Sequence, residues 1–294
     1  AGPIVTTDPP DKRRNPYRDD LAAEFLKGRV SAKRYVAGER RQVVHSAAQL
    51  RDRPDAQAAW TTEALFGETV TVFDQKDGWA WVQLEGDDYV GYMRDAALSD
   101  QVQTPTHMVR ALATFLYPEP DIKTPPWMHI SMTSALCVTE EGGIFSKLTD
   151  GRHVPSRHIV ERTRFAADFV GVAERFVGVP YLWGGKTRLG VDCSGLVQVA
   201  MQAAGRVCPR DSDMQQTELG SDIAVTDALD TLQRGDLVFW KGHVGIMTDG
   251  FMLLHANAHH MAVVIEPLKG AVDRIARTTS SRIVAIKRPA SKVA

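Results

Sequence analysis

Residues 181–195 read YLWGGKTRLGVDCSG, a glycine-rich loop that runs straight into LVQVAMQAAG at 196–205. The second segment reads as a helix that Gly205 closes. Another helix is expected just upstream, over ERTRFAADFVGVAERFVG at 161–178, where apolar residues recur at helical spacing and Gly178 precedes Val179-Pro180. Downstream come the strand-like runs DLVFW (236–240), HVGIM (243–247), FMLLHA (251–256), VVIEPL (263–268) and RIVAIKR (282–288), after PRDSDMQQTELG (209–220), read as a polar loop. Helices first and an antiparallel sheet after them make an α+β layer arrangement at this end of the chain.

The length of 294 residues leaves room for about two or three domains. Hydrophobic residues make up 44% and charged residues 24%, which excludes wholesale disorder. A net charge of −1 lacks the basic excess of a general nucleic-acid binder, so no nucleic-acid partner is expected. The longest apolar runs, such as Phe251–Leu254 and Val263–Ile265, are far too short to span a bilayer as a helix. Three cysteines, Cys137, Cys193 and Cys208, without Cys-x-x-Cys spacing, argue against a disulfide scaffold and a structural zinc site. Cys137 and Cys208 read as structural. The first sixteen residues hold no apolar signal core, and with unpaired cysteines this points to the cytoplasm. The chain starts at alanine, so export after processing stays open.

Residues 1–18 read as an extended arm, and DLAAEFL (20–26) as a short helix behind it. Residues 1–41 carry ten Lys/Arg against six Asp/Glu, a bias that fits a solvated arm wrapped on the body. From Gln42 to Leu98 the pattern is period-two alternation: TVTVFDQ (69–75), the turn Asp77-Gly78, WAWVQL (79–84) and DYVGYM (88–93). Several such strands in under 60 residues suit a small, strongly bent barrel. The pattern returns at an offset of 64, with Gly78, Trp81, Gln83, Leu84 and Val90 aligning with Gly142, Phe145, Lys147, Leu148 and Val154. Both segments resemble bacterial SH3-like domains.

Chemistry concentrates at Asp192-Cys193-Ser194-Gly195. A thiol at a helix N-terminus feels the positive end of the macrodipole, which is expected to lower its pKa. First-turn amides can also donate to an oxyanion. The alternative is a small buried cysteine, but the flanks are polar and glycine-rich. A thiol nucleophile needs a base. His243 opens HVGIM and His255 lies twelve residues on, in FMLLHA. A three-residue Thr248-Asp249-Gly250 turn would pair 247 with 251 and 243 with 255, bringing both imidazoles to one face. A two-residue Asp249-Gly250 turn would send them to opposite faces. His259 and His260 suggest a metal site with His255, but no carboxylate or thiolate falls at useful spacing, so no metal is expected.

PYLWGG, DCSGLVQ, GDLVFW, GHVGIM and LLHA, in that order over about residues 165–290, resemble the NlpC-type cell-wall cysteine peptidases, a papain-like fold class. The resemblance implies Cys193 as nucleophile, His243 as base and His255 as the residue orienting it. It also implies Tyr181 near the oxyanion, and Asp192 and Ser194 beside the substrate. Two SH3-like domains ahead of such a domain are similar to the branch of γ-D-glutamyl-L-diamino acid endopeptidases, also called dipeptidyl-peptidase VI. That branch implies hydrolysis after γ-D-glutamate in murein peptides with a free N-terminal L-alanine, without any cofactor. A free amine calls for an anion, which Asp192 could supply. In the family a carboxylate and a tyrosine of the first barrel help close the site; Glu63 and Tyr89 match them, with Glu68 and Tyr92 as alternatives. The second copy ends in HVPSRHIV without the Gly-Tyr strand of Gly91-Tyr92, which fits a spacer.

The expected organisation is therefore an arm with a short helix (1–41), a first SH3-like barrel (42–100), a second (101–160) and the papain-like catalytic domain (161–294). An amidase or acyltransferase on the same scaffold, or a non-catalytic wall-peptide-binding protein, remain rival readings. An activated thiol would alkylate faster than free cysteine, and a relic would not.

Overall fold

A computed structural model of the chain describes residues 9–290. It divides into two compact units, residues 1–105 and 106–294. The first eight residues of the expected arm lie outside the described residues.

The first unit holds a seven-stranded sheet of β1 (Glu39–Val43), β2 (Ala47–Arg51), β3 (Trp60–Leu65), β4 (Thr69–Lys76), β5 (Trp79–Leu84), β6 (Val90–Arg94) and β7 (Leu98–Ser99), in the order β3-β2-β6-β5-β4-β1-β7. Asp77 and Gly78 take φ of 53° and 79°, the left-handed pair that a tight hairpin between twisted strands needs. Strand β5 is buried on both faces because the barrel core covers one and the arm covers the other. Ala80, Val82 and Leu84 point into the barrel core with Val43, Leu50 and Met93. Trp81 points outward onto Leu21, Ala23 and Leu26 of the arm. Arg18 lies 4.4 Å above the Trp81 ring and bonds Asp74 at 2.6 Å. The expected helix at 20–26 does not form. Only Glu24–Leu26 make a 3-10 turn, and Ala22–Ala23 pair in parallel with Tyr35–Val36. Leu21, Ala22 and Ala23 are all fully buried, and their backbone groups bond to Arg18, Arg34 and Pro16 rather than along a helix.

The second unit begins with short strands: β8 (His107–Val109), β9 (Ala113–Leu116), β10 (Met128–Ser131), β11 (Ala135–Leu136), β12 (Val138–Glu140), β13 (Phe145–Leu148), β14 (His153–Pro155) and β15 (Ile159–Glu161). Their pairing repeats that of the first unit. β9–β10 answers β2–β3, β12–β13–β14 answers β4–β5–β6, and β11–β8–β15 answers β4–β1–β7. The Tyr117–His153 bridge answers Arg51–Tyr92, and a 3-10 turn precedes the last strand in both. The constant offset of 64 is not kept. Gln83 pairs with Val90 across one hairpin and Lys147 with His153 across the other, so the second turn is one residue shorter.

The rest of the second unit is a six-stranded antiparallel sheet with helices on both faces. Its strands are β16 (Ser221–Ile223), β17 (Leu237–Trp240), β18 (His243–Met247), β19 (Met252–Asn257), β20 (Ala262–Pro267) and β21 (Ala285–Arg288), in the order β16-β21-β17-β18-β19-β20. Helix α1 (Phe169–Glu174) is much shorter than the expected 161–178: Glu161 ends β15, and Asp168 starts the helix by accepting the Val170 amide. Helix α2 (Cys193–Ala203) follows the glycine-rich loop, and α3 (Ser212–Glu218) forms inside the segment expected to be a loop. A fourth helix, α4 (Leu268–Thr279), follows β20. Leu237, Phe239, Val244, Ile246, Leu254 and Ala256 pack on α2, whereas Val238, Trp240, Met247 and Leu253 pack with Leu268 and Ala271 of α4.

Candidate active site

Asp192 caps α2, accepting the Gly195 amide at 2.7 Å. The same carboxylate accepts the Gly184 amide at 2.8 Å, which ties the glycine-rich loop to the helix start. Gly195 is needed here: a Cβ would stand 2.3 Å from the Gly185 carbonyl oxygen. Arg210, which sequence reasoning passed over, is fully buried and grips Asp192 with both arms of its guanidinium at 2.9 and 2.7 Å. It also donates to Ser194 Oγ at 2.8 Å, and Gln215 of α3 donates to the Ser194 carbonyl at 2.9 Å. Arg210 thus balances the charge of Asp192, which organises the start of α2.

Cys193 is buried on the first turn of α2, where the amides of Val244 and Ser194 donate to its sulfur. Burial, with the Asp192 charge adding to it, pushes the thiol up to about 12 against those amides and Arg210. The seat on the helix therefore does not make the resting thiol acidic; desolvation outweighs the dipole. Iodoacetamide is expected to modify the resting Cys193 more slowly than free cysteine at pH 7, with a rate that climbs through pH 9, so alkylation does not separate a catalytic thiol from a relic here and the product assay does. A flat, fast rate between pH 5 and 8 would contradict this assignment. Tyr181 is held by its amide on the Met261 carbonyl at 2.9 Å. Its phenol is driven well above the usual range by burial and then by Cys193 and Asp192, so it stays a protonated donor near the thiol.

The histidines come together in a different register from the expected one. Met247 pairs with Leu253, not Phe251, because Asp249 Oδ1 accepts the amides of Phe251 and Met252 and widens the loop. A slip of two residues keeps parity, so His243 and His255 still share a face, diagonally rather than directly opposed. His243 Nε2 lies 2.8 Å from His255 Nδ1. Gly245 makes room: a Cβ there would meet Leu253 Cδ1 at 2.6 Å and His255 Cβ at 3.2 Å. The β18–β19 ladder ends at Ile246–Leu254, while β18 stays paired with β17 out to His243 and β19 with β20 out to Asn257. The strands therefore part where the histidines sit. Alternation turns Val244 toward α2 and His243 toward Trp240, whose ring lies 5.7 Å away. Burial lowers His243 to about 3 and lowers His255 as well, so both are neutral imidazoles at rest. Beside them lies a cavity of about 380 Å³, lined by Trp240, Lys241, His243, His255, Asn257 and Arg274.

Two further charged residues escaped the sequence. Glu266 of β20 lies 2.7 Å from His255 Nε2 and is held by Arg274 of α4 at 2.5 and 2.6 Å. Among the described residues no group of three or more His, Cys, Asp or Glu is arranged to hold a metal. Glu63 and Tyr89 are both buried in the first unit; Glu63 accepts from Gln49 at 3.3 Å and Tyr89 joins the barrel core. Glu68 turns back onto the Leu65 amide at 2.9 Å, and Tyr92 receives Arg18 at 3.1 Å, so both alternatives serve local structure.

A thiol on a helix N-terminus, amides aimed at it and a paired imidazole on the adjoining strand define a cysteine hydrolase. Residues 178–279 match the NlpC/P60 family and residues 50–98 match the bacterial dipeptidyl-peptidase SH3 domain. The γ-D-glutamyl-L-lysine dipeptidyl-peptidase of Bacillus subtilis is 30% identical over 219 residues, covering 66% of this chain and 71% of that protein. The protein of the same name from Bacillus cereus is 28% identical over 240 residues, 70% of each. The crystal structure of an NlpC/P60 family protein from Bacillus cereus superposes with a TM-score of 0.70 at 24% identity, covering 85% of this chain and 99% of that one. The chain belongs to the NlpC/P60 family and is a cysteine peptidase.

Proposed function

We propose that the protein hydrolyses the bond between γ-D-glutamate and a diamino acid in murein-derived peptides that begin with a free L-alanine. The observation that carries this reading is the placing of Cys193 at the start of α2, packed in one core cluster with Val244, the neighbour of His243 on β18. It is supported by relatives named γ-D-glutamyl-L-lysine dipeptidyl-peptidase. His243 Nε2 is engaged with His255, which leaves Nδ1 for the thiol at the end where the strands part. The sulfur attacks the γ-carbonyl as its proton passes to His243 Nδ1, and the carbonyl electrons move onto oxygen. The Cys193 amide and the Tyr181 phenol are the proposed donors to that oxyanion. As the C–N bond breaks, His243 returns the proton to the leaving amine. Water then cleaves the thioester with His243 as base.

The resemblance alone assigns the amino end of the substrate to Glu63 and Tyr89, with Asp192 as the proposed anion for its amine. Residues 101–160 are proposed as a second SH3-like copy on the strength of their repeated strand pairing. The cytoplasm remains the proposed compartment. The test is a product assay on L-Ala-γ-D-Glu-diamino acid. Free diamino acid and intact L-Ala-γ-D-Glu are expected, with little turnover once the alanine is N-acetylated. Release of alanine, or equal cleavage of the acetylated peptide, would overturn the reading.

A further inference from the structure

We propose that Glu266 is a positioning residue for the reaction, its carboxylate fixing the tautomers of His255 and His243 so that the lone pair of the base lies on Nδ1. The inference rests on the reading of Cys193 and His243 as nucleophile and base.

Arg274 donates from Nη1 to Glu266 Oε2 at 2.6 Å and from Nη2 to Oε1 at 2.5 Å. A guanidinium can only donate, so this two-armed grip favours the ionised carboxylate, which can only accept. The Glu266 pKa is accordingly held well below the usual carboxylate range by its bonds to Arg274 and His255, against burial. His255 Nε2, 2.7 Å from Oε1, must therefore carry the proton and donate it. A neutral imidazole has one N–H, so His255 Nδ1 is left as an acceptor. His243 Nε2 faces that acceptor at 2.8 Å and must be the donor. His243 Nδ1 is then bare, the state a general base requires.

Asn257 is the one competing contact, with Nδ2 3.1 Å from His255 Nε2. Its Oδ1 is occupied by the His260 amide at 2.9 Å and by His260 Nδ1 at 3.0 Å. Donation from Asn257 to a bare Nε2 would set that lone pair against the Glu266 charge at shorter range, so the carboxylate decides the direction. Without the carboxylate, His255 could place its proton on Nδ1. That proton would force the lone pair of His243 onto Nε2 and put an N–H where the thiol needs an acceptor. During turnover no proton passes beyond His243. Around its cation the Glu266 charge is opposed by that of Arg274, so the carboxylate acts through the tautomers rather than by its charge.

Nitrogen-15 spectra of the full chain labelled at histidine read the tautomers directly. Both His243 and His255 are expected to be protonated at Nε2 at neutral pH. Glu266→Gln, which keeps the shape, should bring in the other tautomer and lower kcat by about 10–100-fold. KM should change by no more than about threefold, and Glu266→Asp should recover part of kcat. A wild-type spectrum with either ring protonated at Nδ1 would overturn the proposal, as would a Glu266→Gln protein with undiminished kcat. If that variant does not fold, the wild-type spectrum alone decides. Cys193→Ala measured alongside separates the two readings: if it still cleaves, the nucleophile assignment fails, whereas a dead Cys193→Ala beside a fully active Glu266→Gln overturns only the role of Glu266.

Discussion

Cys193→Ala is expected to lower kcat/KM by about 10⁵–10⁶-fold while leaving a folded protein. In the proposed reaction that sulfur forms the bond to the substrate, and neither of the other two cysteines is placed to replace it. Cys208 is buried beside Gln215, and Cys137 lies among the short strands before the main sheet. Alanine keeps the first turn of α2 intact because the cap belongs to Asp192 and the following amides. The stability change should stay near the usual cost of a small core truncation, about 1 kcal/mol. Steady-state assay and thermal unfolding on the same preparation check both halves.

Arg210→Met should have the largest effect on stability, a loss of about 3–5 kcal/mol, because it leaves the Asp192 carboxylate buried without its counter-charge. Asp192 and Arg210 are both buried, and the pair also holds Ser194 and the Gly184 amide. Pairing Arg210→Met with Asp192→Asn removes both charges and should recover a large part of the loss, so the two changes are far from additive. Urea unfolding of the two single variants and the double variant measures this directly. Activity should fall in Arg210→Met even below its unfolding temperature, since the turn that carries Cys193 is anchored by that pair.

What could be read from the chain followed how local each signal is. The loop, the DCSG turn and α2 announce themselves within a few residues of one another, and the HVGIM and FMLLHA strands carry their own alternation. The histidine register depended on a side chain: Asp249 captures two amides and lengthens the loop, which spacing alone does not reveal. Arg210 and Glu266 were missed because their partners, Asp192 and Arg274, lie across the fold or on a helix not foreseen. Helix α3 is mostly polar and shows no apolar stripe, and α4 directly follows a strand that ends in proline. The short helix expected at 20–26 failed for the converse reason: burial against Trp81 overrode local helix preference. The acidity expected of Cys193 failed because dipole arguments from sequence carry no burial term.

The proposed reaction runs through a thioester formed at one sulfur. Rapid quenching of the enzyme with L-Ala-γ-D-Glu-diamino acid, followed by peptide mass mapping, should find an L-alanyl-γ-D-glutamyl group on the peptide that contains Cys193 and on no other. Full turnover with that cysteine unmodified at every time sampled, together with an active Cys193→Ala protein, would contradict it.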